Sequence, residues 1–413
     1  MNWDELYAER ARLMKTSEIR EFFKLTEQPE IMSFAGGFPS AEFFPMEKVS
    51  EVMDELITQE GRSALQYGPT EGNVELRKYL AAKMTREGVP AGVDNILITN
   101  GSQQGMDLLS KVFVNPGDVV IVEEPGYVGG LGAVHNYQAE RLPVPLDAEG
   151  LQTDLLAARL RKLKMEGRTP KFAYIVPNFQ NPTGICMSFE RRKKILELAR
   201  EYNFLLIEDN PYGEIRFEGE PVQSIKSMDT EGRVIYLGSF SKTFIPGIRV
   251  GWLVADESLI QKIACAKQAT DLCSNSLGQR MACRFADSGY IDHHVSTLSE
   301  RYKAKRDLML SCMDKYFPAG VTWTVPEGGF FIWVTLPEGM NARALLLKSI
   351  ERKVAYVDGA GFFVNGNGKN TARFAFSEAC PDKISRGITI LGKLMHEEMN
   401  IYSYPEQVEG LAL

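Results

Sequence analysis

The stretch Phe204-Leu-Leu-Ile-Glu-Asp209-Asn-Pro-Tyr212 decides how this chain reads. An unbroken apolar run over 204–207, too short for a helix and without polar alternation, is the pattern of a strand buried on both faces. It breaks abruptly into two carboxylates, an Asn-Pro step and a tyrosine. The same design recurs along the chain. Run 96–99 is followed by Asn100-Gly-Ser102-Gln103, and run 119–122 by Glu123-Glu-Pro-Gly-Tyr127. Run 172–176 leads to Asn178-Phe-Gln-Asn181-Pro-Thr-Gly184, and run 234–237 to Gly238-Ser239-Phe-Ser241-Lys242. A further apolar run covers 249–254.

Amphipathic helical patterns lie between these runs, at 72–87, 103–113, 152–165 and 189–202. Strand and helix in alternation predict an α/β fold with a mostly parallel sheet flanked by helices. Beyond about residue 290 the character changes. A long amphipathic stretch over 293–316 precedes short alternating runs at 321–325, 330–335 and 371–376, and a last helical pattern covers 381–399. We therefore expect a large domain over 51–290 and a smaller α+β domain built from 1–50 and 291–413, the N-terminal segment packing on the C-terminal unit.

Composition narrows the function. Of 413 residues, 44% are hydrophobic and 24% charged, which is ordinary globular usage and excludes a disordered or collagen-like chain. A net charge of −7 argues against a surface that coats nucleic acid. No apolar run reaches the roughly 18 residues of a membrane span, and the charged N-terminus lacks the apolar centre of a signal peptide, so a cytoplasmic protein without membrane or nucleic-acid partners is expected. The six cysteines never approach C-x-x-C spacing and read as small apolar residues in a reducing compartment. With only four histidines, no metal site is expected.

In open α/β sheets ligands bind outside the carboxyl ends of the strands, so the polar clusters after each run are the candidate site. Neither G-x-G-x-x-G after a strand nor G-x-x-x-x-G-K-[ST] occurs, which removes the commonest nucleotide signatures. Ser239-Phe-Ser-Lys242 matches S-x-x-K, but the S-D-N and K-T-G partners of that chemistry are missing. Lys242 is the centre of the reading. It follows a strand, Ser239 and Ser241 flank it, and Arg249 lies seven residues on, at the start of an apolar run where a buried cation needs an anion. A desolvated lysine forms Schiff bases with carbonyls. One lysine, one arginine and two serines suit a phosphorylated aldehyde, pyridoxal 5′-phosphate (PLP), whose sites pair the lysine with a partner for the pyridine nitrogen. Asp209 fits that partner, and it fits a helix N-cap equally well.

Asn181-Pro-Thr-Gly184, Asp209-Asn-Pro-Tyr212, Ser239-Phe-Ser-Lys242 and Arg249 together resemble the class I/II aminotransferases of PLP fold type I, across nearly the whole chain from Gly36-Gly37 to Arg373. The resemblance implies that Lys242 holds PLP as a Schiff base and moves the proton, and that Asp209 keeps the pyridine nitrogen protonated. By the same resemblance Tyr212 and Asn181 hydrogen-bond the phenolic oxygen, and Tyr127 stacks on the ring. Ser102 and Gln103, read as the N-cap and first residue of helix 103–113, would cradle the phosphate with Ser239, Ser241 and Arg249. Tyr67 would reach the phosphate of a partner subunit, which implies a homodimer with shared sites. Arg373, with its planar fork, would pair with the substrate α-carboxylate, which the backbone of Gly37 also approaches.

Ser17-Glu-Ile-Arg20-Glu followed by Ser33-Phe-Ala-Gly-Gly37 resembles the subgroup of α-aminoadipate, kynurenine and archaeal-type aromatic aminotransferases. That implies transfer of an α-amino group to a 2-oxo acid, 2-oxoglutarate, by a ping-pong mechanism, with Arg20 meeting a distal carboxylate of the substrate. A β-eliminating C–S lyase is the enzymatic alternative. A PLP-binding transcription regulator is the other, disfavoured by the short stretch before Phe34 and by the acidic charge.

Overall fold

The computed structural model describes residues 1–14 and 30–403. A short β1 (Met32–Ser33) precedes the strands of the main sheet, which are β2 (Ile96–Thr99), β3 (Val119–Glu124), β4 (Glu140–Asp147), β5 (Gly150–Leu151), β6 (Phe172–Ile175), β7 (Leu205–Asp209), β8 (Val234–Ser239) and β9 (Gly251–Val254). They form an eight-stranded sheet in the order β2-β9-β8-β7-β6-β3-β4-β5. From β8 through β4 every pairing is parallel, while β9 runs antiparallel between β8 and β2 and β5 is antiparallel on β4. All six apolar runs become strands, and the fold is α/β with a mostly parallel sheet, as expected.

The absence of polar alternation in these runs has a direct structural reason. Val120 and Val122 enter one buried cluster and Ile121 between them enters another. Leu97, Leu237 and Leu253 lie on the first face, and Ile98, Tyr236, Trp252 and Val254 on the opposite one. Both faces are covered by helices. Val74–Arg86 and Ser276–Asp287 bring Leu76, Leu80, Ala282 and Phe285 to one part of the sheet. Thr153–Met165 and Phe189–Tyr202 bring Leu160, Ile195 and Leu198 to another. Burying a large aliphatic side chain stabilises by about 1.5–3 kcal/mol, so a two-sided sheet needs apolar residues at every position.

Helix Tyr290–Tyr316 leads to a four-stranded antiparallel sheet of β10 (Thr322–Trp323), β11 (Phe331–Thr335), β13 (Val357–Asp358) and β14 (Thr371–Ala375), in the order β10-β11-β14-β13. The short β12 (Val354–Ala355) pairs in parallel with β1. Helix Pro381–Ser403 ends the described chain. Residues 32–40 are built into this second sheet region: Phe34 N–H donates to Ala355 O at 2.7 Å, Ala375 N–H to Phe34 O at 2.8 Å, and Ser40 N–H to the Tyr302 hydroxyl at 3.0 Å. The first residues also reach one of the large sheet's helices. Leu13 O lies 3.2 Å from His135 Nε2, on helix Val128–Asn136 beside the large sheet.

Candidate active site

Strands β3, β6, β7 and β8 run in the same direction side by side, and β2 runs with them across the reversed β9. Their carboxyl ends therefore open on one edge, and the polar cluster after each run arrives there. Lys242, in the turn after β8, directs its ammonium to Gly37 O at 2.7 Å, with the rings of Phe330 and Tyr212 at 5.7 and 5.8 Å. Burial of that ammonium, with Arg373 and then Arg249 adding like charge, pushes its pKa down to about 8.

Asp209 ends β7 and is buried. No helix follows it, so the N-cap reading fails: its carboxylate is turned into the site. Tyr174 on β6 donates to Oδ2 at 2.7 Å, while Oδ1 is buried without a hydrogen-bond partner among the described residues. Burial pushes Asp209 up to about 6, against the lowering by the Tyr174 and Ser102 hydroxyls. A buried carboxylate oxygen with nothing to accept is costly, on the order of 1–3 kcal/mol or more, and marks where a donor belongs.

The anion cradle is assembled from three places. Ser239 Oγ donates to Ser241 Oγ at 2.9 Å, Arg249 Nη1 to Ser241 Oγ at 3.3 Å, and Arg249 Nη2 to Asn100 O at 3.3 Å. Two expectations need correction. The helix runs Gly101–Phe113 with Asn100 as its cap, so Ser102 and Gln103 lie in its first turn and Ser102 is not the N-cap. The reason is Gly101, whose φ of +71° lets the chain turn straight from strand into helix. The first-turn N–H groups of Ser102 and Gln103 remain the kind that bind anions. Arg249, in turn, is exposed and precedes the strand, which begins only at Gly251. Its left-handed φ of 54° turns the guanidinium back toward Asn100 and Ser241. The space is shaped by missing side chains. A Cβ on Gly101 would stand 2.6 Å from Arg249 Nη2, and one on Gly251 would stand 2.7–2.8 Å from the backbone of Gly101 and Ser102.

Arg373, on β14 of the second sheet, is buried. Its Nη1 donates to Asn181 Oδ1 at 2.9 Å and its Nη2 to Ala35 O at 2.6 Å. The guanidinium lies over the rings of Phe331 (4.4 Å) and Phe362 (5.2 Å), and Nε has no hydrogen-bond partner among the described residues. Burial lowers its pKa to about 10, against the Tyr212 and Tyr127 hydroxyls. Gly37 packs so closely on the Phe331 ring that a Cβ would lie 2.5 Å from Cζ. Tyr212 stands edge-on to Phe330 and Phe331. Burial pushes its phenol well up, Tyr127 and Asp209 add to the rise, and Arg373 and Asn181 oppose it. Tyr127 caps helix Val128–Asn136 and its hydroxyl reaches Gln103 Oε1 at 3.4 Å, while Gln103 Nε2 donates to Gly129 O at 2.9 Å.

Tyr67 does not face this cluster from within the chain. It is 77% exposed and borders a recess of about 340 Å³ with Arg62, Asn73, Gln279 and Arg280. Arg20 lies outside the described residues. Sequence reasoning passed over Tyr174, Glu123 and Gln180. Glu123 and Gln180 stood inside quoted polar clusters, but nothing marked them as a pair. Tyr174 becomes visible only once β6 and β7 are known to be neighbours.

These residues fit the phosphorylated aldehyde expected from the sequence. An amine of lowered pKa, a buried carboxylate oxygen awaiting a donor, and a glycine-cleared cradle of hydroxyls, first-turn N–H groups and a guanidinium meet at one edge. The sequence profile "Aminotransferase class I and II" matches residues 30–386. The aromatic-amino-acid aminotransferase 1 of Thermococcus litoralis is 45% identical over 97% of this chain and 96% of its own length. The 2-aminoadipate transaminase of Thermus thermophilus is 36% identical over 96% of this chain and 98% of its own. Among solved structures, the kynurenine aminotransferase of Pyrococcus horikoshii, in complex with PMP, superposes with a TM-score of 0.93 at 44% identity, covering 96% of this chain and 98% of that one.

Proposed function

This chain belongs to the class I and II aminotransferases, and from that premise we propose that it moves the amino group of an aromatic or aminoadipate-like α-amino acid to 2-oxoglutarate, in two half-reactions at one site with PLP. The observation that carries the reading is that two cations from different sheets converge on one short segment: Lys242 Nζ on Gly37 O at 2.7 Å and Arg373 Nη2 on Ala35 O at 2.6 Å. The amine that would move the proton and the fork that would bind the carboxylate are thus anchored within three residues of backbone.

PLP, when bound, supplies an electron-withdrawing ring that takes up the electron pair left when the amino acid loses its Cα proton. Asp209 Oδ1 would hold the proton on the pyridine nitrogen and so keep that ring electron-poor. Lys242, with its pKa near neutrality, would take the Cα proton and return it on the other side of the transfer. Asn181 and Tyr212 would donate to the phenolic oxygen, and Tyr127 would lie on the ring face. Ser102, Gln103, Ser239, Ser241 and Arg249 would hold the phosphate. Arg373 would bind the α-carboxylate in bidentate fashion, with Gly37 closing over it. Arg20 would meet a distal carboxylate of the donor. We further propose a homodimer in which Tyr67 completes the neighbouring site, and a large domain over 51–290 with a small one from 1–50 and 291–413. The eight-stranded sheet lying wholly within 96–254, and the pairing of β1 with β12, support that division. A cytoplasmic location agrees with six cysteines that are all free thiols.

The test is a half-reaction screen. The PLP-loaded protein is mixed with single amino acids, and the cofactor's absorbance and the released 2-oxo acid are followed. Stoichiometric release of one 2-oxo acid, with turnover only when 2-oxoglutarate is added, is expected. Continuous release of ammonia without an acceptor would indicate β-elimination and overturn the proposal.

A further inference from the structure

Asn181 sits in a turn whose neighbour, Gln180, is occupied to capacity. The Gln180 amide has two N–H donors and two acceptor lone pairs. Nε2 donates to Glu123 Oε2 at 3.1 Å and to Pro125 O at 2.8 Å; Oε1 accepts from Thr183 N–H at 3.0 Å and from the Thr183 hydroxyl at 2.7 Å. Glu123 Oε2 also accepts from Val176 N–H at 3.2 Å. Gln180, Asn181 and Thr183 are 2–4% exposed and Glu123 is 4% exposed, so water does not compete for these bonds. Two partners, Glu123 and Pro125, belong to the end of β3 and the loop that carries Tyr127. The other, Thr183, belongs to the turn that carries Asn181. One side chain thus joins two loops that lie more than 50 residues apart in sequence. Phe179, just before it, has a left-handed φ of 48°, a conformation that side-chain-bearing residues keep only where the surroundings impose it. Behind the turn, the fully buried Arg192 donates to Pro177 O, Asn178 Oδ1 and Met187 O at 2.7–3.0 Å. The turn is held from both sides, and Asn181 Oδ1 is the atom it presents to Arg373.

We propose that Gln180, anchored by Glu123, is a positioning residue that fixes Asn181 against Arg373 and locks that turn to the Tyr127 loop. The consequence for turnover rests on the reading of Arg373 and Asn181 given above; the clamp itself does not. Glu123 serves as an acceptor, so its carbonyl-type oxygen matters more than its charge. Burial pushes its pKa up to about 8, against the Gln180 and Val176 N–H groups, which agrees with that role.

The test uses the full-length chain with Gln180→Ala, Glu123→Ala and Glu123→Gln. In the cofactor-free protein, amide hydrogen exchange is read at 126–131 and at 180–187. Gln180→Ala and Glu123→Ala are expected to speed exchange in both segments together, while Glu123→Gln, which keeps the acceptor, stays near wild type. In the PLP-loaded protein the two alanine variants are expected to raise KM for donor and acceptor roughly 10- to 100-fold, with a smaller fall in kcat, as a displaced substrate clamp does. Faster exchange in one segment only, or a lowered Tm with both KM values unchanged, would reduce Gln180 to a local staple and overturn the proposal. Should Gln180→Ala not fold, the Glu123→Ala and Glu123→Gln pair carries the same readouts. Coupled exchange in a protein that shows no amino transfer would remove the functional reading and leave the clamp standing.

Discussion

The hydroxyl of Tyr174 donates a 2.7 Å hydrogen bond to one oxygen of Asp209, and the other oxygen of that carboxylate is buried without a partner among the described residues. The two oxygens are therefore divided in role. Oδ2 is tied to the sheet, and Oδ1 is left for the pyridine nitrogen of the proposed reading. A charged acceptor gains about 1.5–3 kcal/mol from such a bond. Removing it with Tyr174→Phe favours the protonated acid, which lacks the negative charge that holds a pyridinium. In the cofactor-free protein Asp209 titrates at about 6, so PLP binding should weaken as pH falls through that value. Tyr174→Phe should move this midpoint upward by about one to two units. Fluorescence or absorbance titration of PLP binding between pH 5 and 8 reads it, and an unmoved midpoint would deny Tyr174 the role.

Lys242 yields a second pH prediction. Its pKa is lowered first by burial and next by Arg373. The ammonium loses its proton near pH 8, so the reactive neutral amine accumulates as pH rises through that value. Competitive acetylation of the cofactor-free protein should show a midpoint there. Arg373→Leu removes the nearby positive charge and should move the midpoint upward. A downward shift would mean that Arg373 acts on Lys242 through something other than its charge.

Much of this architecture was readable, and the unread parts have physical causes. The six apolar runs announce the sheet because each is buried on both faces. Strand β4 escaped because Glu140-Arg-Leu-Pro-Val-Pro-Leu-Asp147 carries two prolines, residues that belong at sheet edges and remove ladder donors. It is tolerated because β4 lies near the edge, with only the two-residue β5 beyond it. Helix Val128–Asn136 escaped because glycines depress helix propensity. They are needed there: a Cβ on Gly130 would stand 2.2 Å from the Tyr174 ring, and one on Gly129 would stand 2.6 Å from Tyr127. Within the site, Lys242 and Asp209 could be singled out because each is an ionisable residue beside an apolar run, and Arg373 through the family resemblance. Gln180 and Tyr174 carry no such mark. Their importance lies in which strands become neighbours, and a strand order is not written in any local stretch.

Glu123 predicts a dependence of stability on pH. Its folded pKa, about 8, lies above the ordinary 4.5, so between those values the folded chain holds a proton that the unfolded chain has released. Stability should therefore be full below about pH 4.5, fall as pH rises toward 8, and level off beyond. Glu123→Gln keeps the acceptor and removes the titration, so its advantage over the wild type should grow from pH 5 to pH 8.5 by on the order of 1–4 kcal/mol. Chemical denaturation at the two pH values measures this. An equal loss in both proteins would place the pH dependence elsewhere.

Tyr67 is 77% exposed and borders the recess lined by Arg62 and Arg280. A tyrosine so exposed contributes little to the fold of one chain, and a two-fold dimer would place the same surface of each subunit against the other. If Tyr67 donates to the neighbour's phosphate, the two damaged sites complement each other in a defined way. A Lys242→Ala subunit paired with a Tyr67→Phe subunit has one site lacking both groups. Its other site takes Lys242 from the second subunit and Tyr67 from the first, and is whole. Mixing the two variants under conditions that exchange subunits should thus give activity above either parent. Tyr67→Phe alone should weaken PLP retention while leaving the Tm of the cofactor-free protein nearly unchanged, because without PLP the hydroxyl has no phosphate bond to lose. A protein that sediments as a monomer with full activity, or a mixture no more active than its better parent, would rule out the shared site.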